Sequence, residues 1–246
     1  MKLAIISDIH GNISALNAVL SDIDRLGIDR VVNLGDSLSG PFDAASTADR
    51  LIELDFLTVR GNHDRMLFER PRSEMGLWES WIVDELAPEH LAWVQSLPAV
   101  ARLGDIFLCH ATPDSDEENW LDHRGPDNRL IARDLPEVEL RAAGLVYPVM
   151  LCGHTHTPRV VRLPDGRLIV NPGSVGCPAY LDTRGTTPFV HQTGSPDARY
   201  AILERNYDTW NVSLCAVSYD TSAMAQLALE RGAESWAQAV KTGWFA

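Results

Sequence analysis

Asp8-Ile9-His10, Gly35-Asp36, Gly61-Asn62-His63-Asp64, Cys109-His110 and Gly153-His154-Thr155-His156 are the segments of this chain whose residue types can do chemistry. Carboxylates, imidazoles and a carboxamide suit borderline divalent metals such as Mn, Fe, Ni, Co or Zn. Two such ions about 3.5–4 Å apart are a recurring device for hydrolysing phosphoesters. Alone, any of these segments is a turn, a cap or a hydrogen-bonded histidine. Together they hold five of the eight histidines, and each follows an apolar run at once or within a few residues. The set therefore points to one metal site.

Such ligands must be carried to one place by the fold. Lys2–Ser7 reads as a buried strand, and residues 12–26 carry apolar side chains at helical spacing up to Gly27, a C′ glycine. Val31–Leu34 is the next strand, Asp43–Leu54 a helix and Phe56–Val59 a third strand. This β-α-β-α-β alternation implies a largely parallel inner sheet. Helices are expected at Leu77–Leu86 and Pro88–Ser96, followed by a hairpin of Ala99–Leu103 and Ile106–Cys109. Residues 113–128 read as a polar loop, long enough to be a lid, then Leu130–Ala143 as helix and Val146–Cys152 as strand. Strands at Val160–Leu163 and Arg167–Val170 flank the turn Pro164-Asp165-Gly166. Strands at Tyr200–Glu204 and Trp210–Ala216 and helices at Thr221–Arg231 and Glu234–Lys241 end the chain. The expected fold class is α/β: a four-layer α/β/β/α sandwich with two mixed sheets face to face and helices outside.

The candidate ligands then lie beyond strand ends, where open α/β sheets place their sites. Strand alternation would put Asp8 and His10 on one side, and His154 and His156 likewise. It also sets Cys109 on the face opposite His110. Gly35 lets backbone pack close beside Asp36.

The 246 residues are 45% hydrophobic, enough for a large core, and no linker divides them, so one domain over 1–246 is expected. With 21 basic against 34 acidic residues the net charge is −13, which argues against general nucleic-acid binding. No segment reaches signal-peptide or membrane-spanning character, and the four scattered cysteines suit a reducing compartment, so a cytoplasmic location is expected. The first βα turn, Ser7 to Asn12, lacks the glycines of a dinucleotide-binding fingerprint, and its Asp8 would repel a pyrophosphate.

The ordered pattern DxH, GD, GN[HD], H, GHxH resembles the calcineurin-like metallophosphoesterase superfamily, matching all five blocks over residues 8–156. Asn171-Pro172-Gly173-Ser174 is also similar to a segment of its small bacterial members. The resemblance implies one metal on Asp8, His10, Asp36 and His156, and a second on Asp36, Asn62, His110 and His154, with Asp36 bridging. It implies hydroxide attack on phosphorus in line and a small phosphorylated substrate. His63 would sit near the phosphoryl oxygens, as a transition-state stabiliser or general acid. Asp64 is read as a helix cap rather than an orienter of His63. The chain departs from the protein-phosphatase form GDxxDRG: it reads Gly35-Asp36-Ser37-Leu38-Ser39-Gly40-Pro41, without that Asp or Arg. Protein phosphatase activity is thereby put in doubt, and a phosphodiesterase is favoured slightly over a phosphomonoesterase.

Arg65, Arg124 and His123 are the candidates for substrate contacts, Arg65 the best placed of them. His90 reads as surface, and His191 gives no signal. Trp78 and Trp81 are spaced for packing or for a subunit interface, leaving a homo-oligomer open. A silent scaffold is the competing class, because the superfamily includes a retromer subunit that binds protein. Loss of ligands or of the block-three histidine would mark a scaffold, and neither has occurred here.

Overall fold

The computed structural model describes residues 1–183, 187–207 and 209–245. In chain order the elements are β1 (Lys2–Ile6), α1 (Ile13–Arg25), β2 (Val31–Asn33), α2 (Ala44–Leu54), β3 (Leu57–Thr58), α3 (Asn62–Glu69), α4 (Leu77–Ser80) and α5 (Pro88–Ser96). Then come β4 (Val100–Leu103), β5 (Ile106–Cys109), β6 (Asp122–Arg124), β7 (Leu130–Ala132), α6 (Leu135–Arg141) and β8 (Val149–Leu151). The rest are β9 (Arg159–Arg162), β10 (Leu168–Asn171), β11 (Ala179–Asp182), β12 (Phe189–Gln192), β13 (Ala198–Asn206), β14 (Thr209–Val217), α7 (Ser222–Glu230) and α8 (Glu234–Thr242).

Two five-stranded mixed sheets result, ordered β14-β13-β1-β2-β3 and β4-β5-β8-β10-β9. β1, β2 and β3 run parallel, as the alternation of strand and helix requires, and β13 joins β1 antiparallel. β5, β8 and β10 are parallel in the second sheet, with antiparallel edges. Alternate residues of both sheets form one buried cluster: Leu3 and Ile5, Ile106 and Leu108, Val149 and Leu151, Leu168 and Val170. The sheets therefore pack face to face. The intervening residues Ala4 and Ile6 meet Leu16, Val19 and Ile23 of α1, and Met150 and Ile169 meet Trp120 and Val138. Thus α1 covers one outer face, while α6 and the Trp120 segment cover the other. At the end of α1, Gly27 (φ +63°) sends its N–H to Asp24 and Ile28 its N–H to Ile23, the Schellman closure that a C′ glycine permits.

Three expectations are corrected. The helix expected from Leu77 stops at Ser80 and continues as turns. Leu130–Ala132 is a strand paired with Asp122–Arg124, so the polar loop contains a strand, and the helix begins only at Leu135. Pro136 explains this: it has no N–H to give and fits only a first helical turn. His90 is buried, with Nε2 2.8 Å from Asp49 and Nδ1 accepting the Ala87 N–H. Among the described residues no helix is long and apolar enough to cross a membrane.

Candidate metal centre

Five of the parallel strands, β1, β2, β3, β5 and β8, end where the candidate ligands begin. Asp8 and His10 follow β1, Asp36 follows β2, Asn62 opens α3 after β3, His110 follows β5, and His154 and His156 follow β8. All seven side chains are buried. Six of them form two groups whose donor atoms lie within 4.8 Å of one another, Asp8 with His10 and His156, and Asp36 with His110 and His154. His10 Nε2 is 3.1 Å from His156 Nε2, and His156 Nε2 is 3.5 Å from Asp8 Oδ1. In the second group His110 Nε2 is 3.2 Å from Asp36 Oδ2 and 3.3 Å from His154 Nδ1.

Alternation does not aim these residues. Asp8, His10, Asp36, His154 and His156 all have φ between 50° and 69°, in the left-handed region. They lie past the strand ends, where the pleat no longer governs direction. Such backbone costs of order 1–3 kcal/mol per residue outside glycine, and it persists only where surroundings enforce it. Here Asp8 N–H donates to Gly35 O at 2.9 Å, His10 N–H to Asp36 O at 3.0 Å and His154 N–H to Asp8 Oδ2 at 3.1 Å. These bonds tie three ligand segments to one another. Crowding does the rest: a Cβ on Gly61 would stand 2.1 Å from Asp36 Oδ1, and one on Gly153 2.0 Å from Ser7 Oγ.

The histidines are set in tautomers that suit ligation. His10 Nδ1 lies 3.1 Å from Ser39 O, His110 Nδ1 2.8 Å from Leu34 O and His156 Nδ1 2.8 Å from Cys177 O. Donating Nδ1–H to a carbonyl leaves each Nε2 as the atom facing its group. Both side-chain atoms of buried Asn62 and Oδ1 of Asp8 lack a hydrogen-bond donor or acceptor among the described residues. A buried carboxamide without partners is costly unless something else meets it. Divalent cations at these groups would meet Asn62 Oδ1 and Asp8 Oδ1, so the oxygen and nitrogen donor set fits two such ions.

Burial opposes charge on His110, yet Asp36 beside it raises it to about 9, so a cation at this group must displace a proton. Burial opposes charge on Asp36, yet His110 and His63 beside it hold its carboxyl well below the usual carboxylate range. Burial, joined by His156, pushes His10 down to about 3 and so keeps it neutral. Asp64 is not the N-cap itself. Its Oδ2 accepts the N–H groups of Asp36 and Gly61, and its Oδ1 that of Ser37. It clasps the Gly35-Asp36 turn to the start of α3 and does not touch His63.

His63 stands beside the two groups, its ring centroid 5.8 Å from that of His10 and its N–H donating to Asp36 Oδ1 at 2.9 Å. Its Nδ1 is hydrogen-bonded to Glu79, which is 1% exposed, and Trp78 stacks on the ring at 4.6 Å and 9°. A carboxylate on Nδ1–H leaves Nε2 as the atom able to exchange a proton. Glu79 has no spacing signal. Its sequence clue is a carboxylate between two indoles in Leu77-Trp78-Glu79-Ser80-Trp81, where burial demands a partner. Replacing Glu79 by Gln should lower kcat ten- to about a hundredfold with KM and metal content little changed, in line with second-sphere losses elsewhere. Unchanged kcat in steady-state assays would mean that His63 needs no such support.

The expected substrate contacts are split: Arg65 lines a second cavity together with His110, and the other two stand apart from it. Arg65 bonds Asp116 at 2.6 and 3.0 Å, Glu117 at 2.7 Å and Glu69 at 3.0 Å, so three carboxylates occupy its guanidinium. It pins residues 112–117 to α3, and Glu117 O lies 3.0 Å from His154 Nε2. Arg124 packs over the Phe189 ring at 4.4 Å and bonds Thr187 O. His123 and Arg124 both lie on β6, outside the residues lining the cavity above His63. Trp78 and Trp81 line that cavity instead of an open surface.

His191, silent in the sequence, is buried on β12, 5.1 Å from the Tyr180 ring and 6.1 Å from His156. Burial, aided by His156 and Arg199, pushes it down to about 3. Unfolded, it titrates near its ordinary value of about 6.5. Below that value the unfolded chain takes up a proton that the folded chain refuses, so stability falls as pH drops, by up to about 1.4 kcal/mol per pH unit. Above it, His191 contributes no slope. Chelator-treated wild type should thus lose roughly 2 kcal/mol more than His191→Phe between pH 7 and 5 in urea unfolding. Parallel losses in the two proteins would contradict a neutral buried His191.

The model of the calcineurin-like phosphoesterase superfamily domain matches residues 1–194. The phosphodiesterase YfcE of Escherichia coli K12 is 31% identical, over 93% of this chain and 98% of its own. An uncharacterised protein of Methanocaldococcus jannaschii is 25% identical over 95% of this chain and 94% of its own. The crystal structure of a metallophosphoesterase from Sphaerobacter thermophilus superposes with a TM-score of 0.76 at 26% identity, covering 99% of both chains. With a family match over most of its length and relatives alike from end to end, the chain belongs to the calcineurin-like phosphoesterase superfamily.

Proposed function

We propose that this chain is a metal-dependent phosphodiesterase acting on a small phosphorylated molecule. The observation that carries the reading is the meeting of two Asp/His groups at one place, with His63 beside both and held by Glu79. Asp8, His10, Asp36 and His156 would hold one divalent ion, and Asp36, Asn62, His110 and His154 the other, with Mn, Fe, Ni, Co or Zn all compatible. Bound, the two ions supply Lewis acidity toward a phosphoryl oxygen and lower the pKa of a shared water toward neutrality.

The protein's own side chains do the rest. Asp36 accepts the His63 N–H, which fixes the first turn of α3 against the ligands. His63 delivers a proton from Nε2 to the departing oxygen, and Glu79 keeps Nδ1–H in place while it does so. A leaving-group acid matters most for esters whose alcohols leave poorly, which favours diesters. The kinship to a phosphodiesterase of Escherichia coli supports the same preference. The net charge of −13 supports a small substrate over nucleic acid, and four free cysteines suit a cytoplasmic protein.

Hydrolysis of bis-p-nitrophenyl phosphate and of p-nitrophenyl phosphate, with metal restored after chelation, tests the reading. The diester should be turned over at least as fast as the monoester. A diester rate far below the monoester rate would reverse the preference. Metal bound without turnover of either would favour the scaffold.

A further inference from the structure

His156 of the first metal group, and Asp36 and His154 of the second, form the floor of a cavity of about 670 Å³ together with Asn62 and His63. Its walls are aromatic and apolar: Trp78, Trp81, Trp236, Tyr180, Phe245 and Met66. The chain has seven tryptophans and spends three of them here. They brace one another edge to face. Trp78 and Trp236 lie 4.6 Å apart at 80°, Trp81 and Trp236 6.1 Å apart at 82°, and Trp78 and Tyr180 6.0 Å apart at 81°. Such contacts make a rigid wall that suits a flat ring.

Charge narrows the choice further. Arg70 is the only lysine or arginine among the described lining residues, whereas Glu117, Asp182 and Glu234 add negative charge. A substrate with several phosphates would find one guanidinium and repelling walls for every group beyond the floor. A diester carries a single negative charge, which stays at the floor, and its second ester group extends along the aromatic wall.

We propose that the cavity selects phosphodiesters in which the group that is not released carries a flat aromatic ring, as in an aryl or nucleoside ester. The proposal rests on the phosphodiesterase reading and adds the substrate class. Burial of a ring against indole faces is sequence- and substituent-tolerant, so either ring type is accepted. The departing alcohol meets His63, and the ring of the retained group meets the walls.

Three diesters that release the same p-nitrophenolate separate the two ideas: methyl p-nitrophenyl phosphate, bis-p-nitrophenyl phosphate and thymidine 5′-p-nitrophenyl phosphate. With metal-loaded wild type, kcat/KM for the aryl and thymidine esters should exceed that for the methyl ester at least about tenfold, mostly through KM. In Trp81→Leu both ratios should fall toward the intrinsic reactivity ratio measured with hydroxide in solution. Turnover of all three with wild-type ratios no larger than that solution ratio would overturn the substrate class and leave the phosphodiesterase reading standing. A second measurement needs neither turnover nor a variant. Quenching of tryptophan fluorescence in the metal-loaded protein should show thymidine 5′-monophosphate binding at least about tenfold tighter than methyl phosphate. Equal affinities would overturn the proposal whatever the hydrolysis assays give.

Discussion

Replacement of Asp36 by Asn should abolish most of the activity, lowering kcat/KM at least about a thousandfold. The carboxylate stands 3.2 Å from His110 Nε2 and accepts the His63 N–H, so it joins the second metal group to His63. Asn keeps the size and one oxygen but removes the charge and the second carboxylate oxygen with which Asp36 would hold both cations. Metal pairs contribute several kcal/mol of transition-state charge stabilisation, and about 4 kcal/mol corresponds to a thousandfold. Elemental analysis should find metal reduced from about two ions per chain to one or fewer. Full metal content with near wild-type turnover would remove Asp36 from the bridging position. The fold should survive, because the turn at Asp36 is also fastened by the Asp64 carboxylate.

His63→Ala should lower kcat at least about a hundredfold while leaving the metals in place, the scale typical of a lost general acid. The substitution removes neither Asn62 nor the backbone N–H that meets Asp36. The loss should grow as the leaving alcohol becomes more basic, being smaller with p-nitrophenolate than with an alkyl alcohol. The same loss for both leaving groups would assign His63 to charge stabilisation instead of proton delivery. Together with Glu79→Gln, the two variants separate the proton donor from the carboxylate that holds it.

Much of the site is legible in the residues because ligand chemistry needs particular side chains in a particular order along the chain. Asp8, His10, Asp36, Asn62, His110, His154 and His156 announce themselves by type, and the apolar runs before them announce strand ends. How they are aimed is not legible from a strand period. Five of them sit in left-handed backbone past the strands, held by bonds such as Asp8 N–H to Gly35 O between segments far apart in sequence. Glu79, His191 and Trp236 are invisible for a related reason. They carry no motif, and only tertiary packing brings Glu79 and Trp236 to the cavity and His191 beside Tyr180. The expected substrate contacts Arg65 and Arg124 show the converse. An arginine near a motif in sequence is available to phosphate only if no carboxylate claims it first, and Asp116, Glu117 and Glu69 claim Arg65. The parallel strands were readable from the βαβ alternation. The Leu130–Ala132 strand was not, since three residues beside a helix share its composition.

The most direct test titrates Mn²⁺ into chelated protein while following bis-p-nitrophenyl phosphate hydrolysis. Turnover should be absent without metal, rise as the ion is added and level off near two equivalents per chain. Full turnover in the chelated protein, or two tightly bound ions with no turnover, would contradict a two-metal phosphoesterase at this site.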